Sequence, residues 1–277
     1  MDSIYGLLDV ILPFDWMGYD FMKNAFLAVL LITPVFGILG TIIVNNRMAF
    51  FSDALGHGAF TGIAIGSVLG ILQPIWSAVV FSVGFSILIT IIKNKTKSST
   101  DTVIGVFSSA AIALGVVLVT SGGISYSSYL VGDLLSITPV EVGTLLLLAV
   151  VIVLLWLLFY NKVLLVSINS SLARSRGINT MAVELAYTSI IAVAVTLSIQ
   201  WIGLLIINSL LVLPAAAARN VSSSARQYNI LTIIISIVSG LLGLILSFYL
   251  ETATGATIVI ISSILYFVTL GLRRKFA

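Results

Sequence analysis

The stretch TPVEVGTLLLLAVVIVLLWLLFY, residues 138–160, decides the fold class. It carries one charged residue, Glu141, and from Val142 onward it is apolar on every face. A helix that crosses the hydrocarbon core of a bilayer needs about 20 mostly apolar residues. A strand of an outer-membrane barrel would instead alternate apolar and polar positions. Working outward, eight further stretches read the same way, at 21–44, 51–72, 74–92, 102–120, 182–200, 202–218, 229–249 and 256–272. The second of these is the least apolar, and a hydropathy window would take it for a soluble-type helix. Counted along all nine, the sixth (182–200) and seventh (202–218) are separated only by Gln200 and Trp201.

Composition agrees with this reading. Of the 277 residues 60% are hydrophobic and 8% are charged, and mean hydropathy is +1.21. An ordinary soluble domain carries about 25% charged residues. The balance excludes a soluble enzyme, a nucleic-acid binder and a disordered chain, and the lack of cysteine excludes a disulfide scaffold. We predict an all-α polytopic membrane protein, a bundle of about nine transmembrane helices with eight as the alternate count. Residues 21–277 form one transmembrane domain, and residues 1–20 precede it. That first segment carries Asp2, Asp9, Asp15 and Asp20 without an early Lys or Arg, so it is no secretory signal. It reads as an interfacial segment with Trp16 and Tyr19 near the headgroups.

The net charge of +3 sets orientation rather than nucleic-acid affinity. With nine spans and the N-terminus outside, twelve of the thirteen Lys and Arg residues face the cytoplasm, and only Lys23 lies outside. Basic residues concentrate in cytoplasmic loops, so the C-terminus is expected to be cytoplasmic.

Chemistry concentrates in Phe51–Gly62, FSDALGHGAFTG. Asp53 and His57, the sole histidine, stand four apart and share a helix face that Thr61 continues. Measured from Arg47 at the membrane surface, ten residues of helix put His57 about 15 Å deep. Ionisable groups at such depth are costly and mark function. A carboxylate with an imidazole suits a divalent metal; it also suits an ion pair that locks two helices. Gly58, Gly62, Gly66 and Gly70 recur every four residues and leave a ridge for a close-packed neighbour. Pro214 is expected to bend or end the seventh span, with Ser222 able to cap a new helix. That stretch reads either as a kinked span with a basic loop or as a surface helix that docks a cytoplasmic partner. Asp133 suits a helix cap, whereas Glu184 and Asn208 have no evident partner. One histidine excludes a His-Glu-x-x-His zinc protease. The chain has no Gly-Lys dipeptide, hence no phosphate-binding loop of its own, and no Gly-x-Ser-x-Gly elbow. We therefore expect no enzyme activity.

Four segments together resemble the membrane permeases of bacterial zinc- and manganese-uptake ABC transporters. They are Phe51–Gly62, Tyr129–Pro139 (YLVGDLLSITP), Ile202–Arg219 (IGLLIINSLLVLPAAAAR) and Phe248–Val259 (FYLETATGATIV). The chain departs from the family at Gly56, where Ser often stands. The resemblance implies a homodimeric permease of the bacterial cytoplasmic membrane, with a cytoplasmic ATPase on each protomer and an extracytoplasmic metal-binding protein that delivers the ion. It implies that Asp53 and His57 are metal ligands, with Thr61, Asp133 and Asn208 around the metal or along its path. It implies that the stretch carrying Pro214, Arg219 and Arg226 couples to the ATPase. ATP would bind the partner, and the chain would hold no cofactor; zinc or manganese would be the transported substrate. The segment around Asp133 looks closer to zinc permeases than to manganese ones. The reading from another class is a self-contained, ion-coupled secondary metal carrier with Asp53 as its ion site.

Overall fold

The structure is a computed structural model that describes residues 5–6, 14–71, 73–122, 132 and 134–276. The described residues form helices and no strand. The helices are α1 (Asp20–Asn45), α2 (Phe51–Val68), α3 (Pro74–Lys95), α4 (Thr100–Gly122), α5 (Pro139–Ile168), α6 (Ser170–Ser175), α7 (Thr180–Ile202), α8 (Leu204–Val221), α9 (Ala225–Leu250) and α10 (Thr254–Phe276). Short 3₁₀ turns precede α1 and α5, at Asp15–Gly18 and Leu134–Ser136. Eight of these helices are long and apolar enough to cross a membrane; α2 and the short α6 are the exceptions. In α2, Asp53, His57 and the glycines lower the hydropathy of an 18-residue helix. The all-α polytopic class therefore stands, with eight apolar spans plus the polar helix α2.

Punctuation by glycine and proline explains where the elements differ from the expected boundaries. The second helix stops at Val68 rather than 72, because Gly70 takes a left-handed φ of +68° and Ile71 N–H turns back to Gly66 O at 2.9 Å. The break between α7 and α8 falls at Gly203 (φ +81°), so Gln200 and Trp201 remain helical. Pro74 opens α3, where a missing N–H does no harm. The fifth helix runs through Asn161 and Lys162 to Ile168, eight residues past the expected end.

Contacts between Cα atoms divide the chain into two compact units, 1–41 with 131–153 and 201–277, and 42–130 with 154–200. In the first unit, α8, α9 and α10 pack together, and α1 lies against α8 and α9 through small residues. Gly40 lets α1 approach the backbone at Leu211, where any Cβ would collide with the carbonyl. Ser236 Oγ on α9 donates to Thr33 O on α1 at 2.7 Å. At the start of α5, Thr138 and Glu141 form a capping box, with Thr138 N donating to Glu141 Oε2 at 2.8 Å. The other Glu141 oxygen accepts Trp201 Nε1–H at 2.9 Å. Trp16, expected near the headgroups, is 3% exposed and its ring lies 5.9 Å from that of Phe26 on α1. Its indole is thus buried in protein, while Tyr19 is exposed.

In the second unit, α2 is the central helix, packed on α3 and α4. The glycine ridge does what its spacing suggests for three of its four members. A Cβ at Gly62 would lie 2.6 Å from Ala78 Cα on α3, one at Gly58 would lie 3.0 Å from the Phe85 ring, and one at Gly66 would collide with Ser77. Gly70 belongs to the turn instead. From the α4 side, Gly115 receives Phe60, and a Cβ there would lie 2.7 Å from that ring.

Candidate functional site

Asp53 and His57 come together as their spacing requires. Both lie on α2, and His57 Nε2 is 3.4 Å from Asp53 Oδ2. The imidazole is mostly buried, 15% exposed, while the carboxylate is 43% exposed. The pair therefore presents an acid oxygen outward, backed by a fixed imidazole.

What leads into α2 changes the depth argument. The chain turns over 46–50 and does not continue as helix from Arg47. Arg47 itself takes a left-handed φ of +54°, and Asn46 Nδ2 ties the turn to Ile42 O at 2.8 Å and Ser167 Oγ at 2.9 Å. Met48, 1% exposed, accepts Phe51 N–H on its carbonyl at 2.9 Å, which starts α2. His57 is thus six residues from the first residue of its helix, about 9 Å along the axis, in place of the 15 Å expected from Arg47.

Thr61 is fully buried, and its hydroxyl donates to Ala111 O on α4 at 2.6 Å, with His57 O at 3.1 Å. It ties the turn below His57 to α4, so its hydroxyl is committed to backbone carbonyls. Asn208 lies on α8, partly exposed, in the unit that does not contain α2. Asp133 falls outside the described residues. Among the described residues no group of three or more His, Cys, Asp or Glu side chains could hold a metal ion. Among the described residues Asp53 and His57 come together on α2, and no third His, Cys, Asp or Glu side chain joins them.

Of the two expected effects of Pro214, a bend or an end, the helix does not end there. The eighth helix continues through a buried Pro214 to Val221. Proline removes the hydrogen bond to Leu210 O, and the rest of the helix persists because Ala215, Ala217 and Ala218 are packed at 0% exposure. The break comes at Ser222–Ser224, and Ser224 rather than Ser222 caps the next helix, accepting Gln227 N–H at 3.2 Å. Arg219 and Arg226 flank this break and are both exposed.

A polar cluster that spacing alone did not reveal lies in the same unit as α2. Glu184, at the start of α7, pairs with Lys93 at the end of α3; the side chains are 12% and 13% exposed. Asn94 Nδ2 donates to the second Glu184 oxygen at 2.7 Å, and Tyr187 OH donates to the first at 3.3 Å. Lys93 Nζ also reaches Met48 Sδ at 3.8 Å. The signal in the sequence is opposite charge at two helix ends that positive-inside topology puts on one side; the span expected at 74–92 stops one residue short of Lys93, which is helical.

Eight apolar helices, with an acid–imidazole pair on a ninth that is polar and glycine-ridged, define a multi-pass membrane protein with a candidate cation site. The family described as the ABC 3 transport family matches residues 18–273, and the chain belongs to it. It is 32% identical to the high-affinity zinc uptake system membrane protein ZnuB of Buchnera aphidicola subsp. Baizongia pistaciae, over 88% of this chain and 94% of that one. It is 26% identical to the manganese transport system membrane protein MntC of Listeria monocytogenes, over 91% and 90% of the two chains. A solved structure, PsaBC from Streptococcus pneumoniae in complex with Fab, shares the fold with a TM-score of 0.79 and 24% identity, covering 97% and 95% of the two chains.

Proposed function

We propose that this chain is the membrane permease subunit of an ABC importer that moves a divalent metal ion into the cytoplasm. The observation that carries this is the Asp53–His57 pair at 3.4 Å on α2, in a chain matched by the family over residues 18–273. A separate cytoplasmic ATPase supplies the energy and an extracytoplasmic binding protein supplies the ion. The permease works as a homodimer. Asp53 and His57 take the ion in transit. A two-ligand site suits this task, because a transport site must release what it binds. A second copy would bring the set to two carboxylates and two imidazoles, a fair tetrahedron for zinc. ATP binding to the partner drives the switch between outward and inward states only through contacts that differ between them. The exposed Arg219 and Arg226, on either side of the Ser222–Ser224 break, are the residues we assign to coupling with the ATPase. Ala217, being buried, is not part of that contact.

Zinc is favoured over manganese. An imidazole nitrogen raises affinity for zinc relative to manganese, and the zinc-system relative is 32% identical against 26% for the manganese-system one. The test is uptake of radioactive zinc by the chain reconstituted with its ATPase and binding protein, with and without ATP, and against excess cold manganese. ATP-dependent uptake with weak inhibition by manganese is expected. Strong inhibition by manganese with weak self-inhibition by zinc reverses the metal; uptake without any ATPase replaces the reading with a secondary carrier.

A further inference from the structure

We propose that the groove between the C-terminal part of α5 and the start of α7 binds one anionic phospholipid, with its phosphate on Lys162 and an acyl chain along Phe159, Val183 and Ala186. This cavity measures about 330 Å³, and Ile178 and Asn179 complete the walls named here. All of these residues belong to the same compact unit.

Length places the groove at the membrane boundary. With 30 residues, α5 is about 45 Å long, against about 30 Å of hydrocarbon. Lys162 lies 23 residues beyond Pro139, about 35 Å along the helix, where the span leaves the apolar layer. Phe159 lies one turn back toward the apolar part of α5, and Ala186 lies six residues into α7. The groove therefore has a charged end and an apolar end in the order in which a phospholipid presents headgroup and chain.

Charge selects the sign. Lys162 is exposed, with its Nζ 5.9 Å from the Phe159 ring centroid, and the ion pairs found among the described residues do not include it. Exposed Arg174 and Arg176 follow in the connection to α7. The groove also borders the N-terminal end of α7, which carries partial positive charge. Glu184, the acid closest in sequence on α7, has its two oxygens held by Lys93 and Asn94. A second copy of the chain fits less well, because it would set two like basic patches against each other. A free phosphate ion would leave the apolar walls uncovered.

The full chain, purified in detergent and stripped of lipid, is mixed with phosphatidylglycerol or phosphatidylcholine and examined by native mass spectrometry. Phosphatidylglycerol is expected to be retained at least about five-fold better. Lys162→Gln should bring it to the phosphatidylcholine level, Lys162→Arg should preserve it, and Ala186→Trp should expel it by filling the apolar end. Lys97→Gln, a basic residue on another loop, should change nothing, and gel filtration confirms that each variant is folded. Equal retention of both lipids overturns the proposal, as does a Lys162→Gln variant that holds phosphatidylglycerol as well as the parent. A cysteine at 162 that crosslinks to a second copy also overturns it. Metal uptake is not read, so these outcomes are independent of the transport proposal.

Discussion

Asp53 and His57 divide the work of a candidate cation site by their exposure. His57 is held, 15% exposed, and Asp53 is the outward partner at 43%. We expect Asp53→Asn and His57→Ala each to abolish metal uptake while the protein still assembles, as read by uptake assay beside gel filtration. Loss of folded protein, with any surviving protein still active, would assign the pair to structure. The pair was legible in the sequence because a four-residue spacing is geometry that any helix enforces. Thr61 obeys the same periodicity, yet its hydroxyl bonds Ala111 O. A β-branched hydroxyl one turn further on is as well placed to tie a helix to its neighbour as to serve an ion, and only the position of α4 decides between them.

At the scale of elements, α3 and α7 are joined by the mostly buried Lys93–Glu184 pair and by Thr90 Oγ1 donating to Thr188 Oγ1 at 3.1 Å. Removing one partner of a buried pair leaves an unpaired charge and costs about 3–5 kcal/mol, whereas replacing both by apolar groups is often neutral. We therefore expect Lys93→Met alone to lower the thermal midpoint of the purified protein sharply, and Lys93→Met with Glu184→Leu to recover most of the loss. Additive losses in that cycle would show that the two side chains act separately. Periodicity could not announce this contact, since it joins residues 91 positions apart. The glycine ridge of α2 was legible because close approach needs a run of small residues on one face. Gly70 shows the limit of that reasoning: a glycine just past a helix end serves its φ, not its size.

For the whole molecule, eight apolar helices are secure in the sequence because lipid demands length and hydrophobicity from each span. The polar helix α2 is the one that hydropathy does not settle, and it is also the one that carries the candidate site. Topology is tested by single cysteines, which enter a chain that has none. Residues 97 and 223 are expected to label from the cytoplasm and residue 253 from outside. External labelling at 97 would invert the orientation. The division of the chain into two compact units was beyond periodicity, because each unit gathers segments distant in sequence.

The turn at 46–50 has an electrostatic consequence. By ending α1 and restarting the chain at Phe51, it sets Asp53 in the first turn of α2, at the positive end of the helix dipole. Partial positive charge at such an end is worth about 0.3–1 kcal/mol to a neighbouring unit charge, favourable for an anion and unfavourable for a cation. A cation arriving at the Asp53 carboxylate meets the same field with the opposite sign. The identical acid–imidazole pair in the middle of a long helix would hold a cation more tightly. On the proposed function, its place at the helix start would make the ion easier to dislodge, a bias toward throughput over storage written into the backbone.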